Sequence, residues 1–164
     1  MTVQDAIARL EQAAGDARNG LPEELFLFIS RITPLINVDL LIQDEQKRTL
    51  LTWRDDEFFD QGWHVPGGII RYKEHAVDRI RKCAEEEIGV AVAFESAPAT
   101  VVETIADSRS RGHFISMLYR CRLIGEPDPG RRAGDAPRRG EWKWHSRCPD
   151  DLLTVQRVYA QFFS

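Results

Sequence analysis

The chain has 164 residues, of which 43% are hydrophobic and 29% are charged, so it has room for one domain with a single sizeable core. These proportions are ordinary for a globular protein and exclude a disordered or fibrous chain. The formal charge of -4 at pH 7 comes from 26 acidic and 22 basic residues and argues against nucleic acid as the main partner.

The cysteines and the apolar runs bear on where the protein works. Cys83, Cys121 and Cys148 are far apart and form no CxxC pair, so the sequence predicts neither a disulfide framework nor a zinc site. No apolar run approaches the length of a membrane span, and the N-terminus lacks a basic region followed by an apolar core. We therefore expect a cytoplasmic protein with no membrane partner.

The sequence patterns in the first part of the chain predict two helices followed by two strands. Apolar residues at helical spacing predict an amphipathic helix over residues 3–14, and we expect residues 1–20 to form a helical extension outside a main domain of residues 21–164. A second helix begins at Pro22 and ends before Pro34. The β-rich runs 35–42 and 49–53 flank a polar turn and predict the two strands of a hairpin.

The second part alternates strands with one helix and one long loop. The predicted elements are a strand over 62–70 broken by Pro66-Gly67-Gly68, a polar helix from His75 to Glu87 that stops at Gly89, strands within 91–106 and 113–124, a basic loop over 125–140, an edge strand over 141–144, and a C-terminal helix from Pro149 through Phe162. Interleaved helices and strands predict an α/β layered domain.

The segment from Gly68 to Val90 carries the chemistry. Glu74 follows Gly68 by six residues, and Glu86 and Glu87 come near the end of the predicted helix. Spacings of three and four residues place Cys83, Glu86 and Glu87 on one helical face. Convergent carboxylates suit a hard divalent ion that neutralises a diphosphate. The alternative for an isolated glutamate triplet is a solvated acidic patch, but the glycine turn and Glu74 favour the site.

This segment resembles the Nudix box, in which a glycine and a glutamate precede the pattern Arg-Glu-aliphatic-x-Glu-Glu-x-Gly-aliphatic. Glu74, Glu86 and Glu87 are in register with it, whereas Lys82 replaces the arginine and Cys83 replaces the first helical glutamate. The resemblance implies an α/β/α sandwich with a mixed central sheet, flanked here by N-terminal helices.

The resemblance also implies a metal cofactor, Mg²⁺ with Mn²⁺ as the alternative. The implied ligands are Glu87, then Glu86, and the carbonyl oxygen of Gly68. The implied structural pair is Glu74 with Lys82, although lysine lacks the forked geometry of arginine. Because the thiol of Cys83 is a soft ligand, we expect fewer ions than a full box holds.

A closer resemblance links the chain to the GDP-mannose mannosyl hydrolase branch of this family. It rests on a helix followed by Thr33-Pro34-Leu35, on Arg54 before Gln61-Gly62-Trp63, and on Val65-Pro66-Gly67-Gly68. The resemblance implies substrate binding by Asp39 and Arg54, and Arg71 is the candidate to replace the arginine that the branch has at Ile69. Arg139 and the other arginines of the basic loop are candidates to close over the phosphates, with a solvated loop as the alternative. Structural alternatives are a turn cap for Asp39 and a solvated loop position for Arg54.

The chain also departs from that branch at the expected base. The branch has a histidine in its late loop, and here the corresponding region offers Arg138, Arg139 and Gly140. Glu141 is the nearest carboxylate and becomes a candidate to orient water, with pairing to Arg138 or Lys143 as the alternative. His64 and His113 are interpreted as strand residues.

The predicted activity is hydrolysis of a nucleoside diphosphate linked to another moiety, with a nucleotide sugar as the leading substrate. One alternative is an ADP-ribose-type or nucleotide pyrophosphohydrolase in which water attacks phosphorus. An alternative of another class is a nucleotide-binding module that has lost catalysis, which the substitution at Cys83 motivates. The small-molecule diphosphate is the expected partner, and a homodimer is compatible with the resemblance.

Overall fold

A computed structural model describes residues 1–57, 59–106 and 111–163. The helical elements are α1 (Val3–Ala14), α2 (Glu23–Ile29), α3 (Ala76–Cys83), a π turn (Ala84–Ile88) and 3₁₀ helices at Ala17–Asn19, Pro129–Arg131 and Thr154–Phe162. The strands are β1 (Leu35–Ile42), β2 (Thr49–Asp56), β3 (Phe59–His64), β4 (Gly67–Ile69), β5 (Val92–Phe94), β6 (Thr100–Ile105), β7 (His113–Leu123) and β8 (Trp142–His145).

The strands form two sheets. In the larger sheet β1 lies between β4 and β7, and both β5 and β6 pair with the far side of β7. β1 and β7 are parallel, whereas the other pairings in this sheet are antiparallel. The smaller sheet has the antiparallel order β3, β2, β8. The α/β class with a mixed sheet is therefore confirmed, as is the edge position of the strand predicted at 141–144.

The predicted hairpin of β1 and β2 is wrong as a strand pairing, although both strands exist and one antiparallel bridge joins Gln43 to Thr49 at the turn between them. β1 pairs with β4 and β7, and β2 pairs with β3 and β8 in the other sheet. The reason lies in burial, because β1 is covered on both faces, with Leu40 fully buried on one face and Asp39 and Leu41 buried on the other. A strand of this kind takes the centre of a sheet, and the turn after it carries the chain across to the second sheet.

Alternation along β1 divides the apolar interior into two clusters. Val38, Leu40 and Ile42 pack with Ile80 and neighbouring residues of the helix that follows β4. Leu41 points the other way and packs with residues from β3 and from the C-terminal segment. Since successive side chains of a strand face opposite sides, Asp39 belongs to the face of Leu41. The carboxylate of Asp39 therefore faces away from α3.

The two ends of the chain are held differently. At α1, Thr2 and Asp5 form a capping box, and none of the helix's residues is buried. The helix predicted to run from Pro149 through Phe162 is a 3₁₀ helix that begins only at Thr154. Its Tyr159 is buried in the second cluster. Across the described ranges, no helix has the length and apolar character needed to cross a membrane.

Candidate functional site

A cavity of about 390 Å³ lies where strands of both sheets meet the end of the helix after β4. Five of the residues predicted from sequence line it, namely Asp39, Arg54, Gly68, Glu87 and Arg139. The structure thus brings together a carboxylate from the box, a buried carboxylate from β1 and two of the predicted arginines.

Glu87 faces this cavity, with its side chain 26% exposed. Its Oε1 accepts a hydrogen bond from the backbone N–H of Gly67 at 3.1 Å, and its Oε2 accepts one from the Thr52 hydroxyl at 3.0 Å. The Nε2 atom of His64 lies 3.5 Å from Oε2. Burial disfavours the charged form, but the contacts from His64, Gly67 and Thr52 outweigh it and hold the pKa of Glu87 below its usual value.

The backbone around Glu87 is a π turn that follows α3 directly. The N–H of Gly89 bonds to the carbonyl oxygens of both Ala84 and Glu85, and Gly89 has a φ of 76°, which favours glycine. A turn closed by i to i+5 bonds holds more residues than an α turn, so it rotates the side chains that follow. Within this turn, Glu87 enters the cavity while the side chain of Glu86 is 60% exposed.

The carbonyl end of this turn is held by a cation from the long loop. Arg131 donates from Nη1 to the carbonyl oxygens of Glu86 at 2.7 Å and Glu87 at 3.2 Å. Positive charge at a helix C-terminus is favourable because the last carbonyl groups lack partners within the helix. Arg131 therefore offsets part of the repulsion that a glutamate cluster causes at this end.

Close packing explains the glycines beside Glu87. A Cβ at Gly67 would lie 2.4 Å from the carbonyl oxygen of Val38, and a Cβ at Gly68 would lie 2.7 Å from the Sγ of Cys83. Cys83 is buried beneath Gly68, and burial together with the nearby charge of Glu87 raises the pKa of this thiol to about 12. A neutral buried thiol therefore occupies the position of the missing carboxylate.

Glu74 lies in an ionic cluster with two basic side chains of α3. Arg79, which is buried, donates to it from Nε at 2.8 Å and from Nη2 at 3.0 Å, and Lys82 donates from Nζ at 2.8 Å. The backbone N–H of Arg71 adds a bond at 2.9 Å. Burial disfavours the charge on Glu74, but these donors outweigh it and lower its pKa to about 2. The pair of Glu74 with Lys82 is present, and Arg79 supplies the fork that lysine lacks.

Asp39 is buried at the back of the cavity. Its Oδ2 accepts a hydrogen bond of 2.6 Å from the hydroxyl of Tyr159. Burial raises the pKa of Asp39 to about 6, and the contacts with Tyr159, His64 and Ser116 oppose the shift only in part. The alternative interpretation of Asp39 as a turn cap is wrong, since this residue lies inside β1.

Arginines and aromatic rings form the outer wall of the cavity. The Nε of Arg54 donates to Asp56 Oδ2 at 2.6 Å, and its guanidinium lies 4.3 Å from the centre of the Phe59 ring. Arg111 also lies near Phe59, at 5.7 Å. Burial and the neighbouring charge of Arg54 lower the pKa of Arg111. Two guanidinium groups in one wall favour an anionic ligand.

Other predicted residues lie apart from the cavity lining. The side chain of Arg71 packs against Gly20, and Glu141 accepts a hydrogen bond of 2.9 Å from Arg138 Nε, which is the alternative considered for it. The carboxylate of Glu86 lies 3.9 Å from Arg79 Nη1. The catalytic and binding roles of these three residues remain predictions.

Sequence reasoning missed several residues of the site. His64 was interpreted as a strand residue, which is correct because it ends β3, but it also lines the cavity. Thr52 and Tyr159 contact Glu87 and Asp39 from distant parts of the chain. The available signal was the position of His64 directly before the Val65-Pro66-Gly67 turn, because that turn leads to Gly68.

The protein groups near Glu87 can hold a divalent cation only together with ligands from water and substrate. Within residues 1–57, 59–106 and 111–163, no cluster of three or more His, Cys, Asp or Glu side chains is arranged to hold a metal ion. Glu87 offers a partly exposed carboxylate, and Gly68 lines the same cavity. Mg²⁺ commonly takes one or two carboxylates and completes its shell with water and substrate phosphates, so this sparse donor set fits it.

Comparisons with known proteins agree with the box and the fold. The family model of the NUDIX domain matches residues 33–158. The low-salt glycan biosynthesis protein Agl8 from Haloferax volcanii is 36% identical over 107 residues, which are 63% of this chain and 68% of that protein. Similar solved structures include a MutT NUDIX hydrolase from Burkholderia pseudomallei and a MutT protein from Methanosarcina mazei Go1.

The first of these structures has a TM-score of 0.60 at 25% identity and covers 80% of this chain and 99% of that chain. The second has a TM-score of 0.62 at 18% identity and covers 79% and 92%, respectively. The family match spans most of the chain and includes the box whose Glu87 faces the cavity. This chain therefore belongs to the Nudix family of hydrolases.

Proposed function

We propose that the protein hydrolyses a nucleoside diphosphate linked to a second moiety, and that this moiety is a sugar. The observation that carries the proposal is the cavity itself, in which Glu87 shares one space with Arg54, Arg111 and Arg139. A carboxylate suited to a cation and arginines suited to phosphate oxygens are the two halves of a diphosphate site.

Nudix hydrolases generally depend on a divalent metal, and we assign Mg²⁺ to this site, with Mn²⁺ as the alternative. Glu87 and the carbonyl oxygen of Gly68 would hold the ion, and Glu86 is the second carboxylate. When bound, the cation neutralises negative charge on the diphosphate and acts as a Lewis acid. We assign Arg54 and Arg139 to the phosphate oxygens of the nucleoside diphosphate. The nucleoside diphosphate is the group that leaves when the sugar is released.

The inner part of the cavity suits a ligand rich in hydroxyl groups. Asn37 lines it, and its Oδ1 is buried with no hydrogen-bond partner among the described residues. Ser116 and Asp39 lie on the same wall. A sugar hydroxyl can donate to the buried oxygen of Asn37 and so remove the cost of leaving it unpaired. The relative from Haloferax volcanii is named for glycan biosynthesis, which also supports a sugar-containing substrate.

The test is a panel of GDP-mannose, GDP-glucose, ADP-ribose and nucleoside triphosphates, assayed with Mg²⁺ in ¹⁸O-labelled water. We expect turnover of a nucleotide sugar that falls about a hundredfold or more in Glu87→Gln, the order of loss seen when an electrostatic group at a reacting centre is removed. Glu85→Gln is the matched control, because Glu85 is an exposed neighbour in the same turn.

The position of the label separates the candidate reactions. Oxygen from water enters the sugar if carbon is attacked, and it enters phosphate in an ADP-ribose-type or nucleotide pyrophosphohydrolase. The proposal fails if Glu87→Gln keeps full turnover. Absence of turnover with every substrate in the panel would instead favour a nucleotide-binding module.

A further inference from the structure

His64 ends β3 with its ring inside the cavity, where neither the box nor the proposed diphosphate site uses it. Its Nδ1 lies 2.8 Å from the carbonyl oxygen of Thr52. A carbonyl oxygen only accepts hydrogen bonds, so Nδ1 carries the proton that it donates. In the neutral imidazole, Nε2 is then the nitrogen with a free lone pair.

The Nε2 atom faces other acceptors. It lies 3.5 Å from Oε2 of Glu87 and 3.3 Å from Oγ1 of Thr52. The Thr52 hydroxyl has a single proton, and it donates to Oε2 of Glu87 at 3.0 Å. A protonated Nε2 donates to Oε2 of Glu87, whereas an unprotonated Nε2 brings a lone pair to the same point as the carboxylate oxygen and the hydroxyl oxygen, and a metal cation between them can bind all three.

We propose that Nε2 of His64 is a metal ligand beside Oε2 of Glu87. The proposal rests on the proposed function, since it concerns the same metal site. A histidine that binds a metal through one nitrogen almost always donates its other N–H to a carboxylate, a backbone carbonyl or water, and the Nδ1 contact with Thr52 has this arrangement. The separation of 3.5 Å also suits two ligands that each lie about 2.1 Å from one ion.

A nitrogen ligand changes which metals the protein prefers. Mg²⁺ is bound mainly by oxygen, whereas imidazole suits transition ions such as Co²⁺. A site built only from Glu87, Glu86 and the Gly68 carbonyl would offer oxygen alone. We therefore expect His64 to raise the affinity of the site for Co²⁺ while leaving its affinity for Mg²⁺ nearly unchanged.

The experiment titrates the whole protein with Co²⁺, and with Mg²⁺ by competition, in the absence of substrate. His64→Ala should weaken Co²⁺ binding by about 10- to 100-fold, the range that loss of a metal-site group produces, and should change Mg²⁺ binding by less than about threefold. His75→Ala is the matched control, because His75 is exposed and makes no side-chain capping bond at the start of α3.

A second measurement uses the unchanged protein, so it does not depend on how well a variant folds. In the Co²⁺ complex, proton NMR should show a hyperfine-shifted ring N–H signal that disappears in D₂O, assigned to Nδ1 of His64. The signal should be absent in His64→Ala and present in His75→Ala.

The proposal is overturned if Co²⁺ affinity is equal in the wild type and His64→Ala, if the wild type binds no Co²⁺, or if the shifted signal is missing. In each case His64 and Glu87 form an ordinary hydrogen-bonded pair. Metal binding is measured without substrate, so these results are independent of the turnover assay. Turnover lost in Glu87→Gln but unaffected by His64→Ala would keep the proposed function and reject this ligand.

Discussion

Glu74 and Glu87 belong to one continuous segment, yet their carboxylates have opposite surroundings. Glu74 is 6% exposed and is bound by two cations, Arg79 and Lys82. Glu87 is 26% exposed, its closest hydrogen bonds come from the Thr52 hydroxyl and the Gly67 backbone N–H, and the ring of His64 lies 3.5 Å from it. The charge on Glu74 is already neutralised, whereas that on Glu87 stays available to a ligand in the cavity.

The partners of the two carboxylates therefore indicate that Glu74 is structural and that Glu87 is functional. A carboxylate that two cations already hold stabilises the loop between β4 and α3 and has little affinity left for a metal ion. A carboxylate held by neutral donors is positioned without losing its charge. The comparison predicts that changes near Glu74 reduce stability, whereas changes near Glu87 reduce turnover and metal binding.

The largest expected effect on stability is that of Glu74→Gln. It leaves the buried guanidinium of Arg79 without its carboxylate, and breaking a buried ion pair in this way costs about 3–5 kcal/mol of unfolding free energy. Glu87→Gln should cost less than about 1 kcal/mol, since the amide oxygen still accepts a hydrogen bond. Urea denaturation measures both values, and equal losses in the two variants would contradict the comparison.

A smaller effect is expected for Arg79→Lys, which keeps the charge but removes the fork. One of the two bonds to Glu74 is lost, so the unfolding free energy should fall by about 2 kcal/mol. Arg81→Lys is the control, because Arg81 is mostly exposed and lies 3.5 Å from Asp78, and it should change stability by less than about 0.5 kcal/mol. If the control lost as much as Arg79→Lys, the fork would not be the source of the stability.

Local features of the site could be predicted from the sequence because they depend on spacing. The turn at Gly68 and the helix stop at Gly89 follow from local conformational rules, whereas the pairing of Glu74 with Lys82 was implied by the family resemblance. The edge strand β8 and the α/β class also agree with the predicted alternation of strands and helices.

Features that depend on distant contacts could not be predicted in this way. Tyr159 meets Asp39 although the two residues are 120 positions apart in the chain. The hairpin prediction failed because local sequence shows that β1 and β2 are strands but not which sheet each of them joins. The π turn that contains Glu86 could not be predicted either, because the periodicity of the side chains does not distinguish it from an α-helix.

The pH dependence of stability should have opposite signs at Glu74 and Asp39. The pKa of Glu74 falls from 4.5 to about 2 on folding, so its contribution is complete above about pH 4.5 and is lost as the pH falls toward 2. The pKa of Asp39 rises from 3.8 to about 6, so stability from its protonated form is lost as the pH rises through that interval.

Unfolding free energies of the wild type, Glu74→Gln and Asp39→Asn between pH 2 and 7 test these signs. The deficit of Glu74→Gln should shrink below pH 4.5, and Asp39→Asn should gain on the wild type as the pH rises from 3.8 to 6. Parallel curves for the three proteins would show that neither carboxyl group titrates differently in the folded state.

The smallest effect is expected at Cys83, which occupies the position of a carboxylate in the full box. Burial raises the pKa of its thiol to about 12, so Cys83 offers no thiolate to a metal ion at neutral pH. Cys83→Ser should therefore leave the affinities for Mg²⁺ and Co²⁺ within about twofold of the wild type, as should the control Cys148→Ser. A tenfold loss in Cys83→Ser alone would make sulfur a ligand and would require the thiol to turn from beneath Gly68 toward Glu87.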